Sequence, residues 1–143
     1  MVGTQTFDKK CVALTQLETA IRLYFEGEDY FSAITLAGAA EEILGKLVTE
    51  KGLDNSLESL KVAAVKIHKR LFGSETTPKN IADVANRARN AMKHLNATVG
   101  STLTFDPKEN AEDMLNRAVD NYWLLEEWLT PAMERFQREI TEA

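Results

Sequence analysis

From Tyr30 to Val48 the chain is apolar nearly all round, interrupted only by Glu41, Glu42 and Lys46 among charged residues. A helix of that kind has no polar side to give to water, so it belongs at the centre of an all-helical fold. The same three charges exclude a membrane span. The expected helix covers about Tyr30 to Lys51, capped by Asp29 and stopped by Gly52. Within it, Ala37-Gly-Ala-Ala40 is a flat patch where another backbone can come close. A mid-helix glycine costs about 1 kcal/mol relative to alanine, and close packing is the expected compensation. Glu41 is the anomaly. At about 100° per residue it projects with Ile34, Ala37, Leu44 and Val48 into the apolar stripe. A carboxylate there needs a cationic partner. The expected partner is an arginine, Arg89 first, with Arg22 and Arg117 also within reach of a bundle core.

The rest of the chain supplies helices to surround this one. Thr6 to Glu26 repeats apolar residues (Phe7, Cys11, Leu14, Leu17, Ile21, Tyr24, Phe25) at helical spacing and ends at Gly27. A third helix starts at Asn55 or Ser56, with Leu57, Leu60, Ala64, Ile67 and Leu71 as its stripe and His68 on its rim. Thr77-Pro78 opens a fourth, expected to run to about Asn96 with Ile81, Val84, Ala85, Ala88, Met92 and Leu95 buried. Asn96 to Pro107 is the longest irregular segment, either lying over a site or crossing the bundle end. Asp106-Pro107-Lys-Glu109 matches a capping box at the start of a fifth helix. Thr130-Pro131 breaks that helix before a short tail helix, Ala132 to Ile140. The expected fold is all-α: an antiparallel up-and-down bundle of four main helices plus one or two shorter ones. It forms a single domain over residues 1–143.

Apolar residues make up 44 % and charged ones 27 %, the balance of a soluble globular chain. Cys11 is the only cysteine, which leaves no intrachain disulfide or cysteine metal cluster. With no basic-then-apolar leader before Phe7, a cytoplasmic setting and no membrane association are expected. The net charge of −5 is unevenly spread. Between Lys61 and Lys93 stand eight basic residues and two acidic ones, a local +6 that leaves −11 for the remainder. A basic middle can attract a polyanion despite an acidic total, or be an ordinary solvated face.

Chemistry concentrates in Arg87-Ala-Arg-Asn-Ala-Met-Lys-His94. Cations that hold a phosphate, beside an imidazole able to move a proton near neutral pH, suffice for phosphodiester chemistry without a metal. Arg89-Asn90-Ala-Met-Lys-His94 resembles the signature of the HEPN superfamily: an arginine, a polar residue, then a histidine four to six positions beyond the arginine. That resemblance implies a small helical bundle with the motif late in the chain, before a final long helix. Glu41 to Lys46 is similar to the acidic-pair segment of some abortive-infection relatives. By the same resemblance the activity is that of a metal-independent endoribonuclease or RNA-binding protein of a toxin or defence type, with no cofactor. Arg89, Asn90 and His94 are then the catalytic candidates, and Arg87, Lys93 and Glu41 would help hold the substrate.

Helix geometry leaves the motif arginine open. Arg89 and His94 stand about 140° apart around an ideal helix, whereas Arg87 and His94 fall within about 20°. Either the helix unwinds near His94, or the site forms between two subunits; the resemblance favours a homodimer. Other signatures are missing: the sequence has no Gly-rich phosphate loop, no His-Glu-x-x-His and no Glu-x-x-His pair, so no metal ligands are assigned. Trp123 and Trp128 cannot both share the Tyr122 stripe, so one is expected to reach a partner subunit. The rival reading is a non-catalytic interaction module, partnering a nucleotidyltransferase, an antitoxin or another defence protein.

Overall fold

The computed structural model describes residues 3–95 and 100–141, and among these it is entirely helical. The seven helices are α1 (Lys9–Arg22), α2 (Tyr30–Glu50), α3 (Ser56–Phe72), α4 (Pro78–Ala85), α5 (Arg87–Lys93), α6 (Pro107–Glu126) and α7 (Pro131–Thr141). Side chains cap their starts as the sequence suggests. Asp29 accepts from the Ser32 amide, Asn55 from Glu58, Thr77 from Asn80 and Asp106 from Glu109. No helix among the described residues is long and apolar enough to cross a membrane.

α2 is central. It buries Ala33, Ile34, Ala37, Gly38, Ala40, Glu41, Leu44, Gly45 and Val48, more positions than any other helix. It packs most extensively on α6 and then on α1. α7 closes the core with Met133 and Phe136, both fully buried, so it is more than a tail. Phe136 lies edge-on to Tyr24, 5.8 Å between ring centroids, and Tyr24 donates from its hydroxyl to Glu112 Oε1 at 2.6 Å. Tyr24 belongs to a π-helical turn, Leu23–Gly27, which continues α1 and ends at Glu28 in the left-handed region.

Three expectations are revised. α1 starts at Lys9 rather than Thr6, because Asp8 caps it; Phe7 stays outside, 68 % exposed. The fourth predicted helix is divided at Asn86, whose backbone (φ −106°, ψ 4°) leaves the helical range. Arg117 Nη2 donates to the Asn86 side-chain oxygen at 2.8 Å and to the Ala85 carbonyl at 3.5 Å, so a guanidinium engages a backbone acceptor at the break. The second piece ends at Lys93, with His94 extended. The continuation to Asn96 and the loop's first residues, 96–99, lie outside the described residues. Finally, α3 and α4 contain no buried residue. Leu60, Ile67 and Leu71, expected to be a core stripe, are exposed, as are Val84 and Leu95 of the fourth helix's expected stripe. α3 still packs on α4 and α6, with Leu57, Ala64 and His68 half-buried.

Candidate functional site

The motif residues separate into a buried group and a surface group. Arg89 turns inward. Its Nη1 lies 3.5 Å from Glu41 Oε2 and donates to the Gly38 carbonyl at 3.4 Å. The pairing expected for Glu41 is therefore present. Both side chains are nearly out of water, at 12 % and 6 % exposure. Gly38 makes this possible: a Cβ there would fall 2.4 Å from Arg89 Cδ. The flat patch on α2 receives an arginine side chain rather than a second backbone.

A second guanidinium lies in the same interior. Arg117 of α6 is buried, with Nη2 on Asn86 Oδ1 and on Met114 Sδ. Burial pushes the Glu41 carboxyl above its ordinary range, opposed by Arg117 and then Arg89. Burial likewise lowers Arg117, opposed chiefly by Glu41. Arg89 Nε and Arg117 Nη1 are buried without a hydrogen-bond partner among the described residues. One turn beyond Arg117, the fully buried Asn121 donates to the Glu41 carbonyl at 3.2 Å and accepts from the Ser56 amide at 2.7 Å. These contacts lock α2, α3, α5 and α6 together. Glu41 and Arg89 so enclosed tie helices together, whereas Arg117 also borders a hollow between α3, α4 and α6.

His94 behaves differently. Because α5 stops at Lys93, His94 leaves the helix in extended conformation and is exposed. It borders a groove of about 720 Å³ between α2 (Phe31, Ser32, Thr35, Leu36), α5 and the segment Gly100–Leu103. A neighbouring groove of about 410 Å³ is bordered by Arg87, Ala88, Thr104 and Asn110. Ala91, Thr102 and Leu103 line both. Arg87 and His94 therefore border two adjoining grooves, one each, on the same side of α5. Arg89 lines neither groove; Asn90 and Lys93 are exposed on α5 without lining either one. Glu41, a sequence candidate for substrate contact, is in the core.

Sequence reasoning missed the hydroxyl and amide groups here: Ser32, Thr35, Ser101, Thr102 and Asn110. The available signal was the Ser-Thr-Leu-Thr-Phe stretch soon after the motif, which lies along α5. No group of three or more histidine, cysteine, aspartate or glutamate side chains suited to a metal ion occurs among the described residues. His68, the other histidine, holds the Ser74 carbonyl at 3.0 Å and stacks near Phe72. No protein-family model matches the chain, and neither a curated protein nor a solved structure matches it significantly.

Proposed function

We propose that this chain is a HEPN-like helical domain that binds RNA and cleaves it without a metal ion, using His94 and Arg87. The observation that carries this reading is the pair of adjoining grooves bordered by His94 and by Arg87, with three lining residues in common, while Arg89 is committed to Glu41. In the reaction, the neutral His94 imidazole takes the proton of a ribose 2′-hydroxyl. The 2′-oxygen attacks the adjacent phosphorus, and the 5′-oxygen leaves with a proton from the imidazolium or solvent. Arg87 stabilises the charge that gathers on the phosphate, and Asn90 and Lys93 hold the strand beside it. Products carry a cyclic phosphate, and chelators have no effect.

The same reading arranges α1, α2, the α4–α5 pair and α6 as the four main helices of an antiparallel up-and-down bundle, with α3 and α7 added to it. It includes a cytoplasmic setting and a homodimer in which the half-exposed Trp123 or Trp128 meets the partner. A second reading, a non-catalytic interaction module, is favoured by one observation: the arginine in the motif's register is held in the core by Glu41.

The experiment is incubation of mixed RNAs with the purified protein in EDTA, with analysis of the cut ends. His94→Ala and Arg87→Ala, both at exposed positions, are expected to abolish cleavage while leaving thermal unfolding unchanged. Full activity in His94→Ala, or no cleavage of any RNA, refutes the catalytic reading and leaves the interaction module.

A further inference from the structure

α3 presents an apolar stripe that nothing among the described residues covers. Leu60, Ile67 and Leu71 are 40 %, 54 % and 70 % exposed, spaced seven and four apart on one side of the helix. Leu60 borders α4 and α6, and Ile67 and Leu71 carry the stripe on toward the end of α3. Val84 of α4, 60 % exposed, continues it. Where α3, α4 and α6 meet, a hollow of about 460 Å³ has an apolar wall of Leu60, Ile81, Val84 and Ala85 and a polar wall that includes Asp113 and Arg117 of α6. That is room for one large apolar side chain. An uncovered apolar surface of this extent marks a contact site rather than a solvated face.

The charges beside the stripe define what fits on it. On the helical wheel Arg70 lies about 80° and Lys66 about 120° from the middle of the stripe, both on the same flank. Both are exposed, and neither takes part in an ion pair among the described residues. They belong to the basic middle of the chain, eight basic residues against two acidic between Lys61 and Lys93. A second copy of this chain fits poorly, because two-fold pairing through the stripe sets Lys66 and Arg70 against their own counterparts. A nucleic acid uses the cations but leaves the aliphatic row uncovered.

We propose that the α3–α4 face docks an acidic amphipathic helix from another protein. Its apolar side would cover Leu60, Ile67 and Leu71, with one large side chain in the hollow and carboxylates opposite Lys66 and Arg70. From Leu60 to Leu71 the rise is about 16 Å, which corresponds to about three turns of the incoming helix. This inference stands apart from the cleavage reading, since the face shares none of the motif residues.

The test uses the full chain and two labelled amphipathic peptides of about 20 residues. They have the same leucine pattern, one with glutamates and one with lysines on the polar side; a single-stranded RNA is the third probe. Fluorescence anisotropy is expected to show binding of the acidic peptide and not of the lysine peptide, while any RNA binding, assigned to the Arg87–His94 side, is unchanged by Lys66→Glu with Arg70→Glu. Ile67→Glu and Leu71→Glu each weaken it at least about tenfold, with no change in thermal midpoint. Lys66→Glu with Arg70→Glu reverses the preference to the basic peptide. Equal binding of both peptides, no binding of the acidic one, or indifference to Ile67→Glu overturns the proposal. RNA binding lost in the Lys66→Glu/Arg70→Glu variant, without acidic-peptide binding, overturns it in favour of a nucleic-acid surface.

Discussion

Replacing Gly38 by alanine sets a local preference directly against a buried ion pair. Alanine in a helix interior is favoured over glycine by about 1 kcal/mol, so on propensity alone Gly38→Ala stabilises the protein. The new Cβ, however, would stand 2.4 Å from Arg89 Cδ and 3.2 Å from its Cγ, and Arg89 must leave. Its departure strips Glu41, 5 % exposed, of the guanidinium 3.5 Å away. Removing one partner of a buried pair costs about 3–5 kcal/mol. Since 3.5 Å is long for a charge-assisted contact, the lower end applies, about 3 kcal/mol. The expected net effect is a loss of about 2 kcal/mol, or about 6 °C in thermal midpoint for a chain of this length. Urea and thermal unfolding measure it, in both the natural and the Arg89→Ala background. Without the Arg89 side chain, adding Gly38→Ala should stabilise by about 1 kcal/mol. Equal effects in the two backgrounds, or a natural-background variant as stable as the parent, would refute the account of Gly38 as the seat of Arg89.

Asn121→Ala removes the contacts to the Ser56 amide and the Glu41 carbonyl and leaves a void; urea unfolding should show a loss of about 3 kcal/mol. Phe136→Ala, at a fully buried position against Tyr24 and Phe25, should cost about 4 kcal/mol. A loss below about 1 kcal/mol would mean α7 is peripheral after all. Burial raises the Glu41 carboxyl, with Arg117, Arg89 and Lys61 opposing and Glu42 adding to the rise. The folded state therefore keeps that proton at pH values where the unfolded chain has lost it. Its contribution falls as pH rises through that window and is regained on acidification. Relative to Glu41→Gln, the natural protein should gain urea resistance between neutral pH and about pH 5; a relative loss contradicts the assigned direction.

The helical class and most helix starts were legible, because Asp29, Asn55, Thr77 and Asp106 precede runs of helical period and each caps as such residues do. The Glu41–Arg89 contact was legible too: a carboxylate in an apolar stripe needs a cation, and few cations lie near the core. The break at Asn86 was not, since it depends on a guanidinium from Arg117, thirty-one residues later. Nor was the exposure of Leu60, Ile67 and Leu71. Periodicity identifies an apolar side of a helix without saying whether the same chain covers it. In the candidate site, spacing put Arg87 in phase with His94 only for an unbroken helix, whereas α5 stops at Lys93 and His94 leaves it in extended conformation. The hydroxyl groups facing them could not be read from spacing, because the fold of the segment after α5 carries no periodic signal.

The shallow seating of α3 and α4 also bears on how the molecule opens. Neither helix has a buried residue, and two side chains one turn apart on α6 tie down their ends. Asn121 holds the Ser56 amide where the pair begins, and Arg117 holds Asn86 where it ends. Such a pair can detach and re-form while α1, α2, α6 and α7 keep their packing. Its amide protons are then expected to exchange with solvent through a partial opening far less costly than global unfolding. Protection against exchange should step down sharply at Ser56 and step up again past Asn86, dividing the chain into two cooperative units of unequal stability.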